Sequence, residues 1–376
     1  MSPQSGARFP RLASSRRTTD GILAGLAAPK VARPSQRKIG ILLMTDVKTR
    51  VEDATPAPLD GPGEAFEVYR AELNSYCYRM LGSAFEAEDA VQETLVRAWR
   101  GFDRFEGRAA VRSWLYRIAT NVCLDMLRGR QRRALPIDLG PAVTGASDPG
   151  STRPAESWVE PVPGGWAGEA MVDPAELVVS RETIRLAFVA ALQHLPPRQR
   201  AVLILREVLS WKANEVAELL GGTVASVNSA LQRARSTLAT SDLDNHAVGP
   251  PAENDELLAR YVDAFERYDM ESLTALIHED ATQSMPPYEM WLRGRSNILS
   301  WWVGPGAGCR GSRLIPTLAN GAPAFAQYKP SASGTGYDPW AIQVPEIADG
   351  RIVGFTFFLD TARLFPLFGL PVRLES

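Results

Sequence analysis

Cysteine and long apolar runs are scarce in this 376-residue chain, and each scarcity excludes a class of protein. Three cysteines (Cys77, Cys123 and Cys309) stand far apart in the sequence, which leaves neither a disulfide framework nor a metal-ligand spacing. Such cysteine usage is typical of a reducing compartment. No apolar run approaches the length of a membrane span. We therefore expect a cytoplasmic protein with no metal, no other cofactor and no membrane partner.

The chain also lacks a dominant charge. Its net charge is −2, with 45% hydrophobic and 22% charged residues, so composition alone neither favours nor excludes a nucleic-acid partner. The distribution is more informative, because residues 64–133 and 181–241 are net basic while the segment between them and residues 247–376 are net acidic. The length predicts two to three domains.

Composition and periodicity divide the chain into five parts. These are an Arg/Ser-rich and then Pro/Gly-containing extension (1–63), a helical segment (64–133), an acidic Pro/Gly-rich linker (134–172), a second helical segment (173–241) and an α+β segment (252–376). The extension is predicted to be disordered. There are two alternatives to a disordered extension: a transit peptide, or translation that starts at Met44. The predicted fold class is multidomain, with two all-α domains and one α+β domain.

Residues 211–238 predict two short helices joined by a glycine turn. Val216 and Leu219 mark the buried side of the first helix, Gly221 and Gly222 supply the turn, and Thr223 is a good N-cap for the second helix. Apolar residues at helical spacing should pack the second helix against the first. They are Val224, Val227 and Leu231.

The outer face of that second helix carries small, amide and guanidinium side chains. Such a helix fits a DNA major groove, where Asn, Gln and Arg read base edges. The alternative is an ordinary helical hairpin in a core. The DNA-contact candidates are Ala225, Ser226, Asn228, Ser229, Gln232 and Arg233.

Residues 64–133 predict three helices. The first should end near Gly82. The second covers 84–100, with an inner stripe of Ala90, Val91, Leu95, Ala98 and Trp99. The third interleaves arginines with Trp114 and Tyr116 and ends in an arginine cluster. Aromatic and basic residues together suit single-stranded nucleic acid. Packing of both rings in the core, with solvated arginines, is an equally good interpretation.

Two motifs make a family resemblance specific. The sequence DAVQETLVRAWR followed by RAAVRSWLYRIATNVCLDMLRGRQRR resembles the σ2 domain of extracytoplasmic-function sigma factors of the sigma-70 family. Their σ4 domain is similar to LPPRQRAVLILREVLSWKANEVAELLGGTVASVNSALQRAR. Both motifs occur in the expected order and separation, which makes the pair stronger evidence than either alone.

The resemblance implies three contact surfaces. The second helix of 64–133 would bind RNA polymerase core, at the β′ clamp, through Asp89, Ala90, Val91, Gln92, Glu93, Val96 and Arg97. The −10 element would be recognised and melted by Arg112, Trp114, Tyr116, Arg117, Asn121 and Arg128. The helix over 223–235 would read the −35 element. Basic residues are common in the family where Asn228 and Ala230 stand, so weaker −35 binding is expected.

The linker over 134–172 is predicted to be largely irregular. The resemblance implies that it threads through the polymerase active-site cleft and RNA exit channel, close to the β subunit as well as β′. Residues 157–161, which include Trp158, are predicted to anchor it on the free protein or on the polymerase. A helix should begin at Asp173-Pro174 and run to Leu192.

The α+β segment predicts helices first and strands afterwards. Strands are expected over 282–285, 314–318, 324–328, 341–344 and 352–359. ARYVDAFERYD, MPPYEMWLRG, ANGAPAFAQY and FPLFGLP resemble the SnoaL-like polyketide-cyclase superfamily, which implies a cone-shaped barrel with an interior pocket. The full domain order most resembles the actinobacterial sigma factor G group.

Catalysis by this last segment is the competing interpretation. Asp263, His278-Glu279-Asp280 and Trp291 offer acid and base groups on paper, but a loop at a helix end is the preferred reading of His278 and its neighbours. Trp301 and Trp302 could line a pocket, although core packing is favoured.

We therefore predict a sigma factor, not an enzyme, with promoter DNA and polymerase as partners. An anti-sigma factor and a small ligand of the last domain are further candidates. The alternative is a SnoaL-like cyclase or isomerase fused to a helical DNA-binding module.

Overall fold

A computed structural model describes residues 66–105, 110–144, 148–167, 183–239 and 251–375. The predicted extension over 1–63 lies outside the described residues, as does most of the helix predicted from Asp173. None of the described helices combines the length and the apolarity that a bilayer crossing requires.

The first helical domain consists of three helices that pack on one another. They are α1 (Arg70–Leu81), α2 (Ala84–Gly101) and α3 (Val111–Met126). Gly82 ends α1 in the left-handed conformation (φ 73°), and its N–H bonds to the Tyr78 carbonyl, as the sequence predicts. Ser83 then caps α2 by accepting the N–H of Glu86. These two adjacent residues produce the sharp reversal between the helices.

The second helical domain contains the predicted helix-turn-helix. Its helices are α4 (Leu186–Leu192), α5 (Pro197–Leu203), α6 (Ala213–Leu219) and α7 (Val224–Leu238). A π-helical turn over Ile204–Val208 extends α5. Both α5 and α6 pack against α7. They cover one side of α7 and leave its other side in solvent.

The C-terminal domain places helices around one mixed sheet. Its helices are α8 (Pro251–Glu266), α9 (Met270–Leu276), α10 (Arg295–Val303) and α11 (Thr361–Leu367). Its strands are β1 (Ile277–Ser284), β2 (Trp291–Arg293), β3 (Arg313–Ala319), β4 (Ala322–Pro330), β5 (Tyr337–Ala348) and β6 (Arg351–Phe358). Strand order is β2-β1-β6-β5-β4-β3, with β1 and β6 parallel and the other pairs antiparallel.

The sheet corrects two expectations. It is open rather than closed into a barrel, because β2 and β3 lie at opposite edges and do not pair. His278 lies within β1, where a loop was predicted, because the strand starts directly after α9 at Ile277. The short strand β2 was not predicted. The other five strands overlap the predicted ones.

Both faces of the sheet are buried, as the alternation along β4 shows. Ala324, Ala326 and Tyr328 join a core that continues through both helical domains, while Phe325 joins a second core beneath α8, α9 and α10. The first core therefore spans all three domains. The second core, on the other face of the sheet, consists of residues of the C-terminal domain, and Val143 of the linker packs against it.

Candidate promoter and polymerase interfaces

Helix α7 is positioned by a reciprocal cap. The Thr223 hydroxyl accepts the Ser226 N–H (3.1 Å), and the Thr223 N–H donates to the Ser226 hydroxyl (3.0 Å). Gly221, with φ 60°, makes the turn from α6, a backbone conformation that glycine adopts without steric cost. The helix start is thus fixed by local chemistry that the sequence reveals.

The predicted DNA-reading face of α7 is in solvent. All six predicted side chains are exposed, whereas Val227, Leu231 and Ala234 on the opposite side are buried. The Arg233 guanidinium has no ion-pair or hydrogen-bond partner among the described residues. Val224, predicted to pack on α6, is 44% exposed because it follows the cap on the outer side of the first turn. The exposed side chains are Ala225, Ser226, Asn228, Ser229, Gln232 and Arg233.

Helix α3 separates the −10 candidates into two groups. Arg117, Asn121 and Arg128 are exposed, and the Arg128 side chain retains 81% of its accessible surface although it contacts Asp125. Tyr116 is fully buried, with its ring centroid 5.1 Å from Tyr76, so it cannot contact bases in this conformation. The core interpretation of that ring is the one that the structure favours.

Arg112 and Trp114 are half-buried in different surroundings. Arg112 is paired with Glu72 at 2.8 Å and lies over the Tyr116 ring. Trp114 stacks against Phe105 (4.9 Å between centroids) and also touches Phe66. Trp114 therefore presents only part of its ring to solvent. The Arg112 guanidinium is occupied by its ion pair with Glu72 of α1, so in this conformation it stabilises the contact between α1 and α3.

Helix α2 divides the polymerase candidates in the same way. Asp89, Gln92, Val96 and Arg97 are exposed and Glu93 is half-buried, whereas Ala90 and Val91 are fully buried. The two buried residues pack α2 into the bundle, since they face its helix partners. They can contribute to a polymerase contact only by positioning the exposed neighbours.

An exposed apolar row runs along α2 to the residue that follows it, and the sequence analysis included only Val96 of this row among the polymerase candidates. Trp99, predicted to face inward, is 63% exposed, and Val96 and Phe102 lie at i−3 and i+3 from it and are also exposed. Three exposed large apolar residues in one row indicate a surface that a partner covers. Their constant spacing of three was the signal in the sequence.

Comparison with known proteins finds three family models that match separate parts of the chain. The family model Sigma-70 region 2 matches residues 65–133, Sigma-70 region 4 matches 185–238, and the SnoaL-like domain matches 258–355. The ECF RNA polymerase sigma factor SigG of Mycobacterium tuberculosis is 44% identical over 340 residues, which cover 88% of this chain and 90% of that protein. The chain belongs to the ECF family of RNA polymerase sigma factors.

Other relatives support the same sigma-factor architecture. The sigma factor SigJ of Mycobacterium tuberculosis is 31% identical over 58% of this chain and 62% of that protein. The crystal structure of that extracytoplasmic function sigma factor matches the fold with a TM-score of 0.54 and 24% identity, over 82% of this chain and 99% of that one. The protein is therefore an alternative sigma factor with a C-terminal SnoaL-like domain, and sigma factors bind RNA polymerase core and promoter DNA.

In this sigma factor, regions 2 and 4 pack directly against each other. Arg200 of α5 is buried and donates to the carbonyls of Met80, Gln193 and Leu195, the first of which belongs to α1. Arg117, one of the −10 candidates, donates to the Glu218 carbonyl in α6 at 2.9 Å. The helices that carry the −10 and −35 candidates are therefore held in one compact arrangement.

The interdomain linker is built into that arrangement. The Glu160 N–H donates to the Gly82 carbonyl (2.9 Å), and the Tyr78 hydroxyl donates to the Glu160 carbonyl (2.7 Å). The Glu160 carboxylate accepts a hydrogen bond from the cap residue Ser83 and another from Arg363 of α11 (2.9 Å). One linker residue thus joins region 2 to the SnoaL-like domain. We call this set of contacts the Glu160 joint.

A second contact lies two residues further along the linker. The Val162 N–H donates to the Asn320 side chain (3.2 Å), and the Asn320 N–H donates to the Val162 carbonyl (2.9 Å). The Asn320 amide also donates to Tyr78 and to the Ile184 carbonyl, so region 4 is included. Trp158 is buried, as the anchor prediction for the free protein requires. The sequence indicated an anchor but not that three domains meet at it.

The Glu160 joint should respond to pH. Burial raises the pKa of the Glu160 carboxyl, while Ser83, Arg133 and Arg363 lower it less. The folded protein then binds more protons than the unfolded chain, so stability falls as the pH rises through the folded-state pKa. We expect wild type to gain stability relative to Glu160→Gln as the pH is lowered from neutrality towards 4.5. Urea unfolding of both proteins across this range measures the difference, and a constant difference contradicts the assignment.

The acid and base candidates for catalysis do not converge. Asp263 is exposed and paired with Arg267 (2.6 Å), and Glu279 and Asp280 are exposed on β1. The Trp291 indole N–H donates to the linker carbonyl of Gly140 (2.8 Å). Trp301 and Trp302 are buried and also line a cavity, so they both pack in the core and form part of a pocket wall.

Proposed function

We propose that this sigma factor reads the −35 element with α7, recognises and opens the −10 element with the exposed part of α3, and binds the polymerase β′ clamp with α2. The observation that carries this assignment is the exposure of all six predicted side chains of α7 beside a core-facing opposite side. An amide- and arginine-bearing helix of this kind fits the major groove. We assign these roles to residues 185–238 and 65–133, with Trp99 added to the clamp surface.

The compact arrangement supports a regulatory role for the linker and the SnoaL-like domain. A linker that is to follow the path of nascent RNA must leave the Glu160 joint, because Glu160 is buried between region 2 and the SnoaL-like domain. Polymerase binding then has to supply the free energy that separates the joint. A partner shifts such an equilibrium only by its difference in affinity for the two states. We therefore propose that the closed form limits polymerase binding, and we leave an anti-sigma factor as a further candidate partner.

Acid–base catalysis by the SnoaL-like domain is not part of the proposal. Among the described residues that line its cavity there is no carboxylate and no imidazole. Burial raises the pKa of the Cys309 thiol, which disfavours a thiolate nucleophile there. A cyclase or isomerase needs a base within reach of its substrate. These observations favour the sigma function over the fused-enzyme alternative.

The test is transcription in vitro with purified polymerase core and full-length protein, in which Arg363→Ala is compared with wild type. This change removes the charged partner of buried Glu160 and the contact of Arg363 with the Phe85 ring (4.1 Å), so it should loosen the joint. We expect stronger core binding and several-fold more promoter-dependent RNA. Arg313→Ala is the matched control, because its ion pair with Glu266 lies within the SnoaL-like domain.

The possible outcomes separate the two parts of the proposal. Wild type that neither binds core nor directs initiation would contradict the promoter and clamp assignments. If wild type is active but Arg363→Ala and Arg313→Ala both behave like it, the closed form does not limit binding.

A further inference from the structure

The SnoaL-like domain contains a cavity of about 200 Å³. It lies between α10 and the sheet face that belongs to the second core. Seven of the residues that line it are aromatic, among them Phe265, Trp301, Trp302 and Phe357. Gly306 lies directly beside Trp301, where a Cβ would approach the indole to about 3.2 Å. The shape of this wall therefore suits a flat ring.

Two glutamines, Gln283 and Gln327, contribute amide groups to the wall. The Gln283 carbonyl accepts the Trp302 indole N–H (2.7 Å), which leaves its amide nitrogen beside the Met285 sulfur (3.7 Å), a weak acceptor. Gln327, in contrast, donates to Ser312 (3.0 Å) and accepts from Gln343 (2.8 Å). The Gln283 amide N–H is therefore the donor in the wall that would gain most from a ligand, because a ligand oxygen is a better acceptor than the Met285 sulfur.

Lys329 is the single charged side chain among the described residues that line the cavity. Its ammonium lies over the Trp340 ring at 3.4 Å from the centroid. Asp338 is its neighbour across the strand pair, but the two make no ion pair in the part of the chain that the structure describes. A half-buried ammonium that has no carboxylate partner among the described residues favours an anion that can approach it.

The linker covers part of the cavity. Pro149 is a lining residue, and the linker around it is attached to the β1–β2 connection. The Arg153 N–H donates to the Pro287 carbonyl (2.9 Å), and Thr152 bridges to Tyr288, which also lines the cavity. A ligand would therefore contact the linker and the segment to which the linker is attached.

We propose that this cavity binds a small aromatic monoanion, an arene carboxylate or phenolate of one or two rings, and that the bound ligand holds the linker at Pro149. The rings would lie among Trp301, Trp302 and Phe357, and the anionic group at Lys329. A dry cavity of about 150 Å³ holds one benzene ring, so this volume suits slightly larger ligands. Binding is independent of the proposed promoter contacts. Only its consequence for transcription rests on the proposed function.

The test titrates full-length protein with 2-naphthoate and with its neutral isostere 2-naphthamide by calorimetry. We expect wild type to bind the carboxylate about tenfold more tightly than the amide. Lys329→Met keeps most of the side-chain volume and removes the charge, so it should bring the two affinities together. Lys212→Met, at an exposed lysine of region 4, is the control and should preserve the preference.

Equal affinity of wild type for the two probes would overturn the assignment of Lys329. Absence of binding at millimolar concentration, checked by saturation-transfer NMR, would overturn the ligand site. Amide hydrogen exchange tests the linker contact. Residues 148–153 should exchange several-fold more slowly with 2-naphthoate in wild type but not in Lys329→Met. Unchanged exchange in wild type would show that the ligand does not hold the linker.

Discussion

We expect the replacement of Arg200 with methionine to lower the free energy of unfolding by about 3 kcal/mol. The substitution leaves the carbonyls of Met80, Gln193 and Leu195 without their buried donor. Loss of the buried charge offsets part of this cost, since burial lowers the pKa of Arg200 to about 10, with an opposing effect of Cys123. The guanidinium is still charged at neutral pH. Urea unfolding followed by tryptophan fluorescence measures the change.

The matched control lies in the same helix. Arg198 is exposed, and among the described residues it donates one hydrogen bond, to the Leu220 carbonyl (2.8 Å). Arg198→Met should therefore cost less than about 1 kcal/mol. Equal losses from the two substitutions would mean that the contact between regions 2 and 4 is not maintained by Arg200.

Replacing Arg233 with alanine weakens binding to a promoter by about 10- to 100-fold, which corresponds to about 1–3 kcal/mol. The Arg233 side chain is exposed on the outer face of α7, and its charge is available to a base edge or a phosphate. If it reads a base, the loss should nearly vanish on DNA with a scrambled −35 element. The affinity of the holoenzyme for the intact promoter and for the scrambled one measures this loss. Both affinities are determined at one salt concentration, because salt alone changes them.

Arg235→Ala is the comparison for Arg233. Its guanidinium is paired with Glu207 at 2.7 Å, so its charge is partly neutralised within the protein. We expect a smaller loss that is equal on both DNAs. If Arg233→Ala binds the intact promoter like wild type, α7 does not read the −35 element through this residue.

Local chemistry is what the sequence predicted best. Gly82 and Thr223 mark helix ends whose geometry depends on the residue itself and its near neighbours, and both have the predicted conformation. The alternation along β4 is equally local, since successive side chains must point to opposite faces. Family recognition required only two such segments in the correct order.

Burial at the margins of a helix could not be predicted in this way. Trp99 and Val224 are apolar and were predicted to face inward, yet both are exposed. Tyr116, in contrast, is covered by α1 and by Trp211 of region 4. Which margin is covered depends on partners that are distant in sequence. The same reason applies to Glu160, an acidic residue in a Pro/Gly-rich segment, whose burial depends on contacts with Ser83 and Arg363.

The apolar core that runs through both helical domains and one face of the sheet affects how long an opened molecule can survive. Separation of the domains would bring buried groups such as Tyr328, Phe365 and Ile184 into water. Surfaces of that kind aggregate or attract chaperones and proteases. We expect the opened factor to persist only while polymerase covers it. The cellular supply of free polymerase, more than the rate of synthesis of the factor, would then determine how many promoters are served.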